Sequence, residues 1–222
     1  MSSQMQFSHT ATGRVEVGSV NKVLRNTYAL LAMTLLFSGL TASLAVVLNM
    51  PPLGLLLTLG GYFGLLFLTH KTQNSAAGLL SVFALTGFMG LTLGPLLSAY
   101  WAGAPTVVIK AAVTTAVVFV GLSAYAVFSK RDFSFLRSFL VVGIIVGFIL
   151  GLTAFFMESS ALSLAVSAMF VLLMSGLILY ETNNIIKGGE TNYIMATVSL
   201  FVAIFNLFTS LLHLLGASGD SE

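Results

Sequence analysis

One carboxylate interrupts an otherwise apolar run: Glu181, in the stretch Leu177-Ile178-Leu179-Tyr180-Glu181-Thr182-Asn183-Asn184. A charge at the centre of a membrane helix costs roughly 2.5–3.5 kcal/mol on insertion scales, and less near a helix end. Such a residue pairs, protonates or faces a polar cavity, unless it lies high enough to reach headgroups and water. Its neighbours are suited to the first group of roles. Thr182, Asn183 and Asn184 follow it, Gly188-Gly189 turns the chain, and Glu190, Thr191 and Asn192 lead into the next apolar segment. With the hairpin apex near Gly188, Glu181 lies about 10 Å from it along the axis, and Thr197 and Ser199 of the returning segment lie at similar depth. Asn206 is a further ~10–15 Å in. Glu181, Thr182, Asn183, Thr197, Ser199 and Asn206 therefore form the candidate buried acid and polar cluster. It offers Glu181 hydroxyl and amide partners, but no obvious basic one from its own hairpin.

Other chemistry finds little support. The histidines are His9 in the amino tail, His70 and His213, too scattered for a shared metal site. There is no His-Glu-x-x-His pair, Gly-x-Ser-x-Gly elbow or phosphate loop. Cysteine is absent, which removes disulfides, thiolate ligands and thiol nucleophiles. No catalytic residue, metal or cofactor is expected, so the chain does not read as an enzyme. The net charge of +2 is too small to imply a nucleic-acid partner.

The elements that must position the cluster are set by composition. Hydrophobic residues make up 57% and charged residues 7% of the 222, and the mean hydropathy is +1.02. A soluble globular domain is incompatible with that balance. Seven apolar segments can be drawn at about 27–48, 53–69, 76–99, 106–129, 135–156, 162–181 and 193–215, each near the ~20 residues that span a bilayer as a helix. The runs are continuous rather than alternating, which excludes barrel strands. Pro51, Pro52 and Pro105 fall in the connections, and Pro95 should kink the third segment or end it early. The first segment, about 22 residues long, exceeds a signal-peptide core and is read as a true span.

Basic residues set the orientation. Arg14, Lys22 and Arg25 in the tail share one side with Lys71, Lys130, Arg131, Arg137 and Lys187, eight of the nine, leaving Lys110 opposite. The positive-inside rule places that side in the cytoplasm. The expected fold is thus an all-α seven-transmembrane-helix bundle, N-terminus cytoplasmic and C-terminus outside. Its expected divisions are a cytoplasmic tail over 1–26, a membrane domain over 27–215 and an external tail over 216–222. Residues 1–13, rich in Ser, Thr and Gln, read as disordered, and the spacing of Val17, Val20 and Leu24 suits a short interfacial helix before the first span. Gly143, Gly147 and Gly151 repeat at four-residue spacing, as do Gly60 with Gly64 and Gly90 with Gly94. That spacing lets helix backbones approach closely in lipid, for internal packing or for a dimer seam. In a seven-helix chain internal packing is the expected use.

With these residues in view, the chain resembles the Bax-inhibitor-like seven-helix membrane proteins, and within them the bacterial YccA branch. The resemblance covers nearly the whole chain. It is carried by Lys22-Val23-Leu24-Arg25-Asn26-Thr27-Tyr28, Phe67-Leu68-Thr69-His70-Lys71-Thr72, Asp132-Phe133-Ser134-Phe135-Leu136 and Gly188-Gly189-Glu190-Thr191-Asn192-Tyr193-Ile194, together with Ser199-Leu200-Phe201 and Phe205-Asn206-Leu207-Phe208. Members of that branch are described as substrates and modulators of the membrane protease FtsH. The resemblance implies an inner-membrane regulator whose partners are the FtsH complex and the lipid bilayer. The family also contains pH-sensitive calcium-leak proteins gated by an acid pair. Glu181 matches the first of that pair, the second falls on Ala203, and a further glutamate aligns with Gly60-Gly61. The alternative the resemblance implies is therefore a cation leak, calcium or proton, with Glu181 in the pore.

Overall fold

The computed structural model describes residues 17–129 and 131–219. Seven α-helices hold nearly all of them: α1 (Val17–Val47), α2 (Leu55–Thr72), α3 (Ala76–Gly103), α4 (Pro105–Phe128), α5 (Leu136–Phe156), α6 (Ser160–Ile186) and α7 (Tyr193–Gly219). Among the described residues there is no strand. In lipid each backbone polar group must find its partner within its own segment, so continuous apolar runs become helices. Every helix but α2 is long and apolar enough to cross a membrane, which makes this a multi-pass membrane protein. The 18 residues of α2 extend about 27 Å, and His70 and Lys71 occupy its last turn.

The helix ends depart from the sequence expectation in three places. Glu181 does not close α6, which continues to Ile186. It continues because Thr182 and Asn183 are buried against other elements and have their hydrogen bonds met there. The stop is Gly188, in the left-handed region at φ 72°. Its N–H bonds the Ile185 carbonyl at 3.0 Å, and the Gly189 N–H bonds that of Asn184 at 2.9 Å, a paired closure that needs such a residue just past the cap. Pro95 does not end α3, which runs to Gly103; one missing N–H is tolerated inside a bundle. Finally, the short helix expected ahead of the first span is continuous with it, since α1 is unbroken from Val17. The expected disordered residues 1–13, and residues 220–222, lie outside the described residues.

The bundle is organised around α7, which packs on α1, α3, α4 and α6. Ala196, Leu200, Phe201, Ala203 and Leu207 are wholly buried along it. The outward faces carry Leu36, Leu56, Leu80 and Phe128, each strongly exposed and suited to lipid. Glycine makes two of the closest seams. On α3, a Cβ at Gly87 would stand 2.6 Å from the Phe37 ring, and at Gly90 it would collide with Thr41 and the Ser38 carbonyl of α1. On α5, Gly143 and Gly147 admit Leu173, Met169 and Phe170 of α6, whereas a Cβ at Gly151 would meet only Val166, at an ordinary 3.8 Å. Gly60 and Gly64 share the same spacing but face nothing within 4 Å.

Candidate functional site

The polar residues of the α6–α7 hairpin knit one end of the bundle together. Tyr28 on α1 shares a hydrogen bond with Thr182 at 3.3 Å. From α7, the Thr197 hydroxyl donates to the Tyr193 carbonyl at 2.7 Å and approaches that of Thr27 at 3.3 Å. Asn183 holds the α4–α5 connection: its Oδ1 accepts from the Phe133 N–H at 3.3 Å, and its Nδ2 donates to the Arg131 carbonyl at 3.2 Å. Asn192 holds the α2–α3 connection in the same way. Its Oδ1 caps α7 by accepting from the N–H groups of Ile194 and Met195, at 2.9 and 3.2 Å. Its Nδ2 donates to the Gln73 carbonyl and to Asn74 Oδ1, at 3.2 and 2.9 Å. Two asparagines thus fix two loops to one hairpin.

An ion pair completes this end. Lys187 Nζ lies 2.8 Å from Asp132 Oδ1, with both side chains well exposed. The lysine, with the Ser134 backbone N–H, holds the Asp132 carboxyl well below the usual carboxylate range. A carboxyl depressed in this way stabilises the fold above its ordinary pKa and loses that contribution as pH falls. Exposure keeps the contribution small.

Glu181 lies half-buried beside this network. Its electrostatic neighbours are Asn184 and the charges of Glu190 and Arg137. Arg137 belongs to the first turn of α5, so the nearby cation comes from outside the hairpin. The six cluster residues do not converge on one point. Thr182, Asn183 and Thr197 turn to α1 and the α4–α5 connection. Ser199 instead lines a cavity of ≈ 540 Å³ with Tyr62, His70 and Leu177. Asn206 donates to the Val202 carbonyl at 2.8 Å and borders a second cavity of ≈ 450 Å³. Both cavities share Tyr62, Phe63, Leu177 and Val202, and no carboxylate lines either. Ala203 is completely buried.

Sequence reasoning gave Asn192 no partner on another element; its position before an apolar run was the available signal for a cap. It also missed a contact between Ser167 and His213 Nδ1 at 2.9 Å, which ties α6 to α7 toward their other ends. The Ser163 carbonyl, 2.9 Å from the Ser167 hydroxyl, is a second partner for that group.

The position of Glu181 leads to a testable difference. Glu181→Gln keeps the size and polarity of the side chain and is expected to fold as the parent does. Glu181→Lys sets an ammonium in a half-buried position between the opposed charges of Glu190 and Arg137, and its desolvation is expected to cost about 1–3 kcal/mol. Thermal unfolding in detergent measures both; equal midpoints would make Glu181 a simple rim acid.

A family model described as "Inhibitor of apoptosis-promoting Bax1" matches residues 20–220. The chain belongs to this family. Within the Bax1-inhibitor family it is 52% identical over 209 residues to the "Modulator of FtsH protease YccA" of Escherichia coli K12, covering 93% of this chain and 95% of that protein. The "Inner membrane protein YccA" of an Escherichia coli O6:H1 strain matches equally, at 52% over the same shares. An uncharacterized protein of Pseudomonas aeruginosa is 50% identical, over 93% of this chain and 94% of its own. This Bax1-inhibitor family member is accordingly a multi-pass inner-membrane protein.

Proposed function

We propose that the protein is a regulator of the membrane protease FtsH, which it binds and by which it is slowly degraded. The observation that carries this reading is the 52% identity, over 93% of the chain, to a protein named for modulating FtsH. The fold supports regulation by contact: Asn183 and Asn192 of the hairpin are engaged in holding two loops at one end of the bundle. The mechanism we favour is competitive occupancy, in which a tail rich in Ser, Thr and Gln is the handle and the bundle resists extraction.

The orientation proposed with it has the N-terminus in the cytoplasm and the C-terminus outside, because eight of nine basic residues fall on the tail side. The absence of cysteine makes single-cysteine labelling clean. Cysteines at Thr10, Asn74 and Thr191 are expected to react only from the cytoplasmic side, and one at Ser218 only from outside. Thr191 is exposed, whereas Gly188 at φ 72° would be strained by a side chain. Labelling of Thr191 and Ser218 from one side contradicts a spanning α7.

The test of function is a chase of this protein and of a second membrane substrate of FtsH, with and without residues 1–13. Deletion removes no apolar segment and is expected to lengthen the protein's lifetime severalfold while protecting the second substrate. Decay as fast as the full chain, or a longer life that leaves the second substrate untouched, defeats competitive occupancy.

A further inference from the structure

On one side of the bundle α1 and α4 each pack on α7, and two cavities open between them. The first, ≈ 520 Å³, lies toward the start of α1 and is lined by Asn21, Leu24, Arg25, Tyr28, Ser123 and Val127, among others. The second, also ≈ 520 Å³, is lined on α1 from Leu35 to Ser43 and on α4 from Val108 to Val120. Phe119 and Val120 wall both, and the Tyr28 and Phe119 rings, 5.9 Å apart, form the waist between them.

Charge and polarity are distributed unevenly along this crevice. Its one charged residue stands near the start of α1, where Arg25 is exposed beside Asn21; elsewhere the walls are apolar but for Ser38, Ser43, Thr115 and Ser123. Among the described residues the one ion pair is Lys187 with Asp132, so Arg25 faces no carboxylate there. Ser123 is 5% exposed, and its hydroxyl has no hydrogen-bond partner among the described residues.

We infer that the crevice holds an acyl chain of an anionic glycerophospholipid, with the lipid phosphate at Arg25. The dimensions decide between a lipid chain and a partner helix. A helix about 10–12 Å across needs several times the room these slots contain. One leaflet's hydrocarbon is about 15 Å deep, half of the ~30 Å core. From Arg25 that depth corresponds to about ten residues of α1, reaching Leu35, where the second cavity begins. An arginine beside an apolar inter-helix slot complements an anionic headgroup. The leaflet is the one at the start of α1, cytoplasmic in the orientation proposed above.

The test uses the full chain, purified in mild detergent and titrated with phosphatidylglycerol or phosphatidylethanolamine of identical chains, with bound lipid counted by native mass spectrometry. One phosphatidylglycerol is expected to be retained in preference to phosphatidylethanolamine. Arg25→Gln should weaken it about fivefold, the worth of one basic residue near a membrane surface, while Lys71→Gln on α2 should leave it unchanged. Val120→Trp, at a position 62% exposed, should block the slot and lose both lipids; Ala124→Leu serves the same purpose should the tryptophan variant not fold. Equal weakening by Arg25→Gln and Lys71→Gln, no preference between the lipids, or undiminished binding with the slot filled each overturns the site. So does competition by glycerol phosphate as effective as that by the intact lipid, because a chain would then contribute nothing.

Discussion

Gly90→Leu is expected to leave little or no folded protein. A side chain at this position would drive into Thr41 and the Ser38 carbonyl of α1, with the Ser38 carbonyl carbon only 2.9 Å from the new Cβ. Backbone cannot swing aside as a side-chain tip can, so α1 and α3 must separate. Overpacking in a core usually costs about 1–3 kcal/mol, and a backbone collision belongs at or above the top of that range. Gly94 abuts Ala45 and Gly87 abuts Phe37 on the same helix, so separation would open the whole seam. Gly60→Leu is the matched control, because a Cβ added there would meet nothing within 4 Å. Size-exclusion profiles and unfolding midpoints in detergent compare them; similar midpoints for the two variants would disprove the seam.

The second large effect is expected from Asn183→Leu. Leucine matches asparagine roughly in shape but removes both of its hydrogen bonds, to the Phe133 N–H and the Arg131 carbonyl. Phe133 is 7% exposed, so its N–H would be left without water or partner, at a cost of about 1–3 kcal/mol. The α4–α5 connection should then become open to proteolysis before the helices unfold. Asp132→Asn weakens only the exposed pair with Lys187 and should shift the midpoint little. Limited proteolysis of the loop, read beside thermal unfolding, separates the outcomes. A loop equally protected in both variants would mean that Asn183 does not hold it.

These two residues also mark how far the sequence could be read. Asn183 is legible as a polar residue near a membrane helix end, grouped with Glu181 by adjacency in the sequence. Its partners are backbone groups 50 and 52 residues away, at positions that sequence spacing does not bring near. Thr197 and Ser199 lie two residues apart on α7, yet one contacts Thr27 of α1 and the other lines a cavity with His70. Two residues on a helix turn by about 200°, so equal depth does not imply a shared face.

Glycine spacing shows the same division. Gly60 with Gly64 and Gly143 with Gly147 are identical patterns in sequence, but the first pair lies open and the second admits α6. What the sequence by itself determined was that this chain forms helices crossing a membrane, about how many, and which of its residues are costly there. Those follow from hydropathy and from local backbone hydrogen bonding, which each segment satisfies alone. Only the tertiary structure decided where α6 stops, which glycines form seams and what each buried polar group touches. These depend on how each helix is rotated against its neighbours, and that rotation is set by contacts between residues far apart in the chain.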